Sequence, residues 1–154
     1  MVKAGDRAPG FSNPDADMNI IESSQFRGKN LVLFFYVRDD TPSCTAEAIE
    51  FSELENDFAK LGASVLGVSR DDCIKHGEFR DKHGISVRLL ADKEHATCEA
   101  YGVLQDKEVD GVMRRSAVRA TFVIDKQGVI RHALYGVPSR GHAAEVLQLV
   151  KDLN

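Results

Sequence analysis

A chain of 154 residues with 43% hydrophobic and 29% charged side chains can bury a core without disulfide or metal staples, and its composition is neither disordered nor fibrous. The formal net charge is −4 and the densest positive cluster is the short RRSAVR at 114–119, which argues against nucleic acid as a partner. The opening MVKAGDRAPGF has no apolar core of signal-peptide length, and no run approaches the roughly 18 apolar residues that span a bilayer, so the expectation is one cytoplasmic domain over residues 1–154 with no membrane association.

The first strong element is LVLFFYV at 31–37, a continuous apolar run that suits a strand buried on both faces. Asp39, Asp40, Thr41 and Pro42 then read as turn and helix-start residues. Proline is comfortable in a first helical turn because its missing N–H had no partner there, and Thr41 is a natural N-cap. Residues 44–61 carry Ala48, Phe51, Leu54, Phe58 and Leu61 at spacings of three and four, one apolar helical stripe stopped by Gly62. ASVLGVS at 63–69 is a second buried strand. Residues 71–83 form a second helix, with Ser69, Asp71 or Asp72 as its cap and Gly84 after it. SVRLLAD at 86–92 is a shorter strand and 94–101 a third helix. RATFVID at 119–125 and GVIRHALYG at 128–136, joined by Lys126 to Gly128, read as a hairpin. The last helix, 142–153, carries Val146, Val150 and Leu153 on one face. This alternation predicts an α/β fold in which helices flank a central mixed sheet.

Three cysteines, Cys44, Cys73 and Cys98, are too few and too widely spaced for a disulfide framework; in a reducing compartment such thiols are inert, catalytic or metal-bound. Cys44 stands apart. It falls in the first turn of the helix that follows the most apolar strand, near free backbone N–H groups and the positive end of the macrodipole, both of which favour a thiolate. That is also the carboxyl edge of the sheet, where α/β proteins place their sites. The alternative is a small first-turn residue without chemistry. Two pairs, Cys73 with His76 and His95 with Cys98, show the two-residue gap of zinc modules, yet both lie in helical patterns and a chain of this length needs no metal staple. His83, His132 and His142 are dispersed and read as solvated. Thr45, Ala46 and Glu47 after Cys44 leave no Cys-x-x-Cys, which counts against disulfide-exchange chemistry.

GDRAPGF, GKNLVLFFYVRDDTPSCTAEA, GVSRD, LLADKEHATCEAYGV, RATFVID and GHAAEVL occur in an order that resembles the peroxiredoxins, and most closely their bacterioferritin comigratory (Q-type) group, over nearly the whole chain. Thr41 and Cys44 stand at the Thr-x-x-Cys spacing of that family. The resemblance implies a thioredoxin-like fold and thiol-dependent reduction of hydrogen peroxide and organic hydroperoxides, with no metal, flavin, haem or nucleotide. Carried over by position, Cys44 is the peroxidatic cysteine, Thr41 the hydroxyl that orients the peroxide, and Arg119 the guanidinium beside the sulfur. Glu47 matches an acidic residue one turn after the cysteine and is a supporting group. One departure is Val37, where the family has a proline four residues before the threonine; valine restores an N–H and frees φ.

A sulfenic acid on Cys44 needs a second thiol to be recycled. The two positions where Q-type members carry that thiol are Ile49 and Arg80 here. Cys98 matches a cysteine without a resolving role in the group and reads as a small buried residue. Cys73 lies two helical turns before Arg80, about 10 Å along the axis, whereas a disulfide needs Cα atoms within about 7 Å. The expectation is a one-cysteine route through an external thiol, namely thioredoxin, glutaredoxin or glutathione. The alternatives are Cys73 as resolving thiol, or a non-catalytic redox-sensing or metal-binding domain on the same fold. By analogy with the group, the chain is expected to be a monomer.

Overall fold

The computed structural model describes residues 1–153. In chain order the elements are β1 (Ser12–Pro14), β2 (Ile20–Glu22), a 3-10 turn (Ser23–Phe26), β3 (Asn30–Phe35), α1 (Pro42–Glu53), α2 (Glu55–Lys60), β4 (Ala63–Ser69), α3 (Cys73–His83), β5 (Arg88–Ala91), α4 (Ala96–Ala100), β6 (Leu104–Val109), β7 (Val112–Ala117), β8 (Ala120–Ile124), β9 (Ile130–Tyr135) and α5 (His142–Leu153). The central sheet has the order β5-β4-β3-β8-β9, parallel across β3, β4 and β5 and antiparallel across β3, β8 and β9. It is the mixed sheet flanked by helices that the sequence pattern predicts.

Every residue of β3 is buried, which explains why its sequence does not alternate. Val32, Phe34 and Tyr36 pack on one face with Cys44, Ala48, Phe51 and Phe58 from α1 and α2, and with Val146 and Val150 from α5. Leu31, Leu33 and Phe35 pack on the other with Cys98, Tyr101 and Phe122. Strand β8 divides its side chains in the same way. Val123 joins the first face, while Ala120, Phe122 and Ile124 join the second. By that alternation Thr121 and the preceding Arg119 are directed toward α1 and α5. Gly67 in β4 marks the tightest approach on the first face: a Cβ there would lie 2.7 Å from the Phe34 ring.

Three departures from the sequence reading have physical causes. The helix starts at Pro42 behind Thr41, as the turn residues predict, but the stripe expected to run unbroken to Leu61 is two helices broken at Leu54, whose N–H is shared among the carbonyls of Glu50, Phe51 and Ser52. The break leaves Phe51 and Phe58 in the same core, with ring centroids 6.0 Å apart, so the apolar spacing carried no sign of it. Strands β6 and β7 form an antiparallel hairpin that the reading did not anticipate. Most of its side chains are exposed, so it has no apolar alternation. Its signal is the Asp110-Gly111 pair, both with positive φ (51° and 77°), the geometry of a two-residue hairpin turn. Within RRSAVR, Arg114 to Ala117 complete β7, Val118 and Arg119 link it to β8, and Arg115 pairs with Glu99 and Asp106. Strands β1 and β2 are three residues each, too short for a period to show.

Candidate active site

Cys44 is the third residue of α1, after Pro42 and Ser43, so it sits where backbone N–H groups lack intrahelical acceptors. Thr41 is the N-cap by position, with extended φ and ψ, but its side chain makes no cap bond. Its hydroxyl donates instead to the Arg38 carbonyl at 3.3 Å, which corrects the expectation of a capping threonine and leaves the oxygen lone pairs open to a donor.

Cys44 is 1% exposed and clusters with Tyr36, Ala48 and Phe51. Its sulfur nevertheless meets a cation. Arg119 Nη2 donates to Cys44 Sγ at 3.6 Å, while Nη1 donates to Glu47 Oε1 at 2.9 Å. One guanidinium therefore spans two side chains that lie three residues apart on one helical face. Arg119 is held from the sheet side as well, since its carbonyl accepts the N–H groups of Gly136 and Val137. Its side chain is 14% exposed, so the pairing with Glu47 is a largely buried one. The structure thus brings together Cys44, Arg119 and Glu47, with Thr41 at the mouth of the same helix.

The electrostatics of the trio are unequal. Burial pushes the Glu47 carboxyl up to about 8, against the downward pull of Arg119. Burial also works against the Arg119 cation, but Glu47 and Cys44 outweigh it and the guanidinium stays firmly protonated. Glu47 Oε2 is buried and has no partner among the described residues.

Two histidines belong to the neighbourhood although the sequence reading did not place them there. His142, expected to be solvated, is 1% exposed. Its Nε2 lies 2.8 Å from Thr121 Oγ1, its ring meets Phe51 edge-on, and burial lowers its proton affinity. Its Nδ1 is the second buried atom without a partner among the described residues. The N–H of Gly141, just before it, donates to Glu50 of α1. No residue spacing could have shown this, because a histidine at a helix start looks the same whether it faces water or a neighbouring helix. His76 is also fully buried, hydrogen-bonded to Asp39 and the Leu90 carbonyl rather than paired with Cys73.

The remaining cysteines are set apart from Cys44. Cys98 lies in the core on the opposite face of the sheet, and burial and Asp92 push its thiol far up. His95 is exposed at the start of α4, so it and the buried Cys98 form no ligand pair. Cys73 opens α3, half-buried, in a cavity of about 340 Å³ with Asn13, Asp72, Asp92 and Lys93. Burial first, then Asp72 and Asp15, push its thiol up. Ile49 is partly buried against the α1 core, and Arg80 pairs with Asp17 and Asp81. Val37, in place of the family proline, is 37% exposed.

Residues 4–133 match the AhpC/TSA family. The chain is 37% identical over 153 residues to Peroxiredoxin Bcp of Bacillus subtilis, covering 99% of this chain and 98% of that protein. It is 34% identical over 151 residues to Peroxiredoxin Bcp of Escherichia coli K12, covering 98% and 97%. Among solved structures, a cysteine-to-serine variant of Xylella fastidiosa PrxQ superposes with a TM-score of 0.93 at 31% identity over 99% of this chain and 98% of its own. The Xanthomonas campestris bacterioferritin comigratory protein, studied for alkyl peroxide reduction, superposes with a TM-score of 0.90 at 32% identity over 93% and 91%.

Proposed function

This chain belongs to the AhpC/TSA family and is a peroxiredoxin, a thiol-dependent peroxidase with a thioredoxin-like fold, and on that premise we propose that Cys44 is its peroxidatic cysteine, served by Arg119 and Thr41 and supported by Glu47. The observation that carries this assignment is the Arg119 guanidinium bonded at once to Cys44 Sγ and to Glu47.

The chemistry follows from those contacts. The Cys44 thiolate attacks one oxygen of the hydroperoxide, a sulfur–oxygen bond forms and the oxygen–oxygen bond breaks. The sulfur is oxidised to sulfenic acid, and the other oxygen leaves with a proton as water or alcohol. Negative charge moves from sulfur to the leaving oxygen during the step. A guanidinium already aimed at the sulfur stabilises that charge without reorganising and without acting as the acid. The Thr41 hydroxyl, whose proton is committed to the Arg38 carbonyl, offers its lone pairs to the peroxide O–H and so orients it. Glu47 holds the other edge of the guanidinium and fixes its plane.

Recycling runs through an external thiol, drawn from thioredoxin, glutaredoxin or glutathione. That thiol displaces water from the sulfenic acid to give a mixed disulfide, and a second thiol returns Cys44 to its reduced form. Three features favour this one-cysteine route over an internal disulfide. The sheet stands between Cys98 and Cys44, Ile49 and Arg80 occupy the usual resolving positions, and the environment of Cys73 disfavours its thiolate. The protein acts as a single-domain, cytoplasmic monomer in this reading.

Peroxide turnover with each of the three thiol donors tests the scheme. Cys44→Ser is expected to abolish turnover, and Cys73→Ser to keep it within about twofold of the parent. Loss of turnover in Cys73→Ser, with a Cys44–Cys73 bridge seen by non-reducing peptide mass spectrometry, would assign resolution to Cys73 instead.

A further inference from the structure

The mechanism above makes no use of a second buried polar cluster, which lies between the loop 38–41 and helix α3. Its centre is Asp39. One carboxylate oxygen accepts the Tyr36 hydroxyl at 2.6 Å, the other lies 2.7 Å from His76 Nδ1, and the Asp39 N–H donates to Asp71 at 2.8 Å. Asp71 is held in turn by the Ser69 hydroxyl at 2.7 Å. His76 Nε2 lies 2.9 Å from the Leu90 carbonyl.

The Leu90 oxygen can only accept, so Nε2 carries a proton. Nδ1 then faces a carboxylate oxygen, and a proton must lie between them for the contact to be attractive. Asp39, Asp71 and His76 have the residue types of a cation site, with candidate ligand atoms within 4.8 Å of one another. The Asp39 oxygens, however, already serve Tyr36 and His76, and Asp71 Oδ2 already serves Ser69 and the Asp39 N–H. The cluster is a hydrogen-bond network around one residue of the loop. Burial and the neighbouring Asp39 push the Tyr36 phenol well up, so it remains a donor.

What this network holds is one peptide unit. The Arg38 carbonyl belongs to the same planar group as the Asp39 N–H. That carbonyl accepts the Thr41 hydroxyl, and the N–H is tied to Asp71. Turning Asp39 therefore turns the acceptor that orients Thr41. The backbone between them is itself constrained: Asp40 has φ +62°, and its carboxylate is clasped by Lys82 and His83 of α3.

We propose that His76 is a positioning residue for the peroxidase reaction, acting through Asp39 and the Arg38–Asp39 peptide to set the direction of the Thr41 hydroxyl. The proposal rests on the reading of Thr41 as the group that orients the peroxide. It assigns His76 a role beyond core packing, because two of its substitutions should behave differently. The amide nitrogen of asparagine overlies Nδ1, so His76→Asn keeps the donor to Asp39 and loses the tie to Leu90. The amide nitrogen of glutamine overlies Nε2, so His76→Gln keeps the tie to Leu90 and loses the donor to Asp39.

The experiment measures, for the full chain well below its melting temperature, the single-turnover rate of Cys44 oxidation by hydrogen peroxide and the rate of Cys44 alkylation by iodoacetamide, which needs no oriented hydroxyl. His76→Gln is expected to slow oxidation by about tenfold to a hundredfold, the scale of a misplaced reacting group, without slowing alkylation. His76→Asn is expected to recover oxidation to within about threefold of the parent. Equal oxidation rates in the two variants, or oxidation and alkylation falling together, would overturn the proposal. Thr41→Val is measured beside them. If it oxidises as fast as the parent, the reading of Thr41 has failed and this inference with it; if it is slow while the two His76 variants are alike, only the role of His76 is lost.

Discussion

Cys44 and Cys98 are equally buried, each 1% exposed, yet they meet opposite charges across the same sheet. Cys44 accepts from the Arg119 guanidinium, whereas Cys98 faces the Asp92 carboxylate, which also takes the Cys98 N–H. The polar groups around the two thiols differ as well. Near Cys98, Asn13, Asp92 and Thr97 satisfy one another at 2.6 to 3.3 Å. On the Cys44 face, Glu47 Oε2 and His142 Nδ1 are buried without partners among the described residues. On the proposed assignment of Cys44, burial alone does not decide whether a thiol is reactive; the sign of its nearest charge does. The two unsatisfied polar atoms lie on the Cys44 face, where they cost stability.

The sharpest way to break this contrast is to remove the cation. Arg119→Met keeps much of the side-chain bulk and discards both donors. Stopped-flow oxidation of Cys44 by hydrogen peroxide is expected to slow by about a hundredfold to a thousandfold, the usual scale for one preorganised donor to developing charge. A loss below about threefold would mean that Arg119 packs against the sulfur without assisting the reaction.

Glu47 offers a second handle, read through stability. Its carboxyl is raised from 4.5 to about 8 in the fold, so the folded chain binds this proton more tightly than the unfolded chain. The stabilisation is complete below about pH 4.5 and is lost as pH rises through about 8. Buried His142 has the opposite sign, lowered from 6.5, but it is present in both proteins and largely neutral above pH 7, so it drops out of their difference. Between pH 7 and 8 the parent should therefore lose stability relative to Glu47→Gln by about 1 kcal/mol, measured as the difference in urea unfolding free energies. Parallel stability curves for the two proteins across that interval would show that Glu47 is ionised throughout.

Much of this arrangement was legible in the residues. The apolar run of β3, the turn chemistry of Asp39 to Pro42 and the helix stripe through Ala48 and Phe51 placed Cys44 at a strand-to-helix junction. Arg119, Thr41 and Glu47 came from resemblance, since an arginine opening a strand gives no sign of where its guanidinium goes. Its direction becomes readable once β8 is known to alternate, with Thr121 and Val123 on the α1 side. The hairpin of β6 and β7 was hidden because solvated strands need no apolar period, and the break at Leu54 because it preserved one. His76 and His142 were hidden for a common reason. Each is held by tertiary partners 14 to 37 positions away in sequence, Leu90 and Asp39 for one and Thr121 for the other.

The smallest expected effect sharpens the comparison from its quiet side. Cys98→Ser introduces a hydroxyl into a buried site, which ordinarily costs about 1 to 3 kcal/mol when no acceptor is present. Here an acceptor is at hand, because the Asp92 carboxylate that takes the Cys98 N–H also lies beside the thiol and helps push it up, so the thiol can donate to it. Serine keeps that donor in nearly the same volume. Cys98→Ala removes it and opens a small gap among Leu33, Phe35 and Tyr101. Urea unfolding should therefore rank Cys98→Ser within about 1 kcal/mol of the parent and above Cys98→Ala. Peroxide turnover should be unchanged in both, while the same serine substitution at Cys44 is expected to abolish it. If Cys98→Ala proves the more stable, Asp92 is not an acceptor for the thiol, and the difference between the two buried sulfurs rests on Arg119 alone.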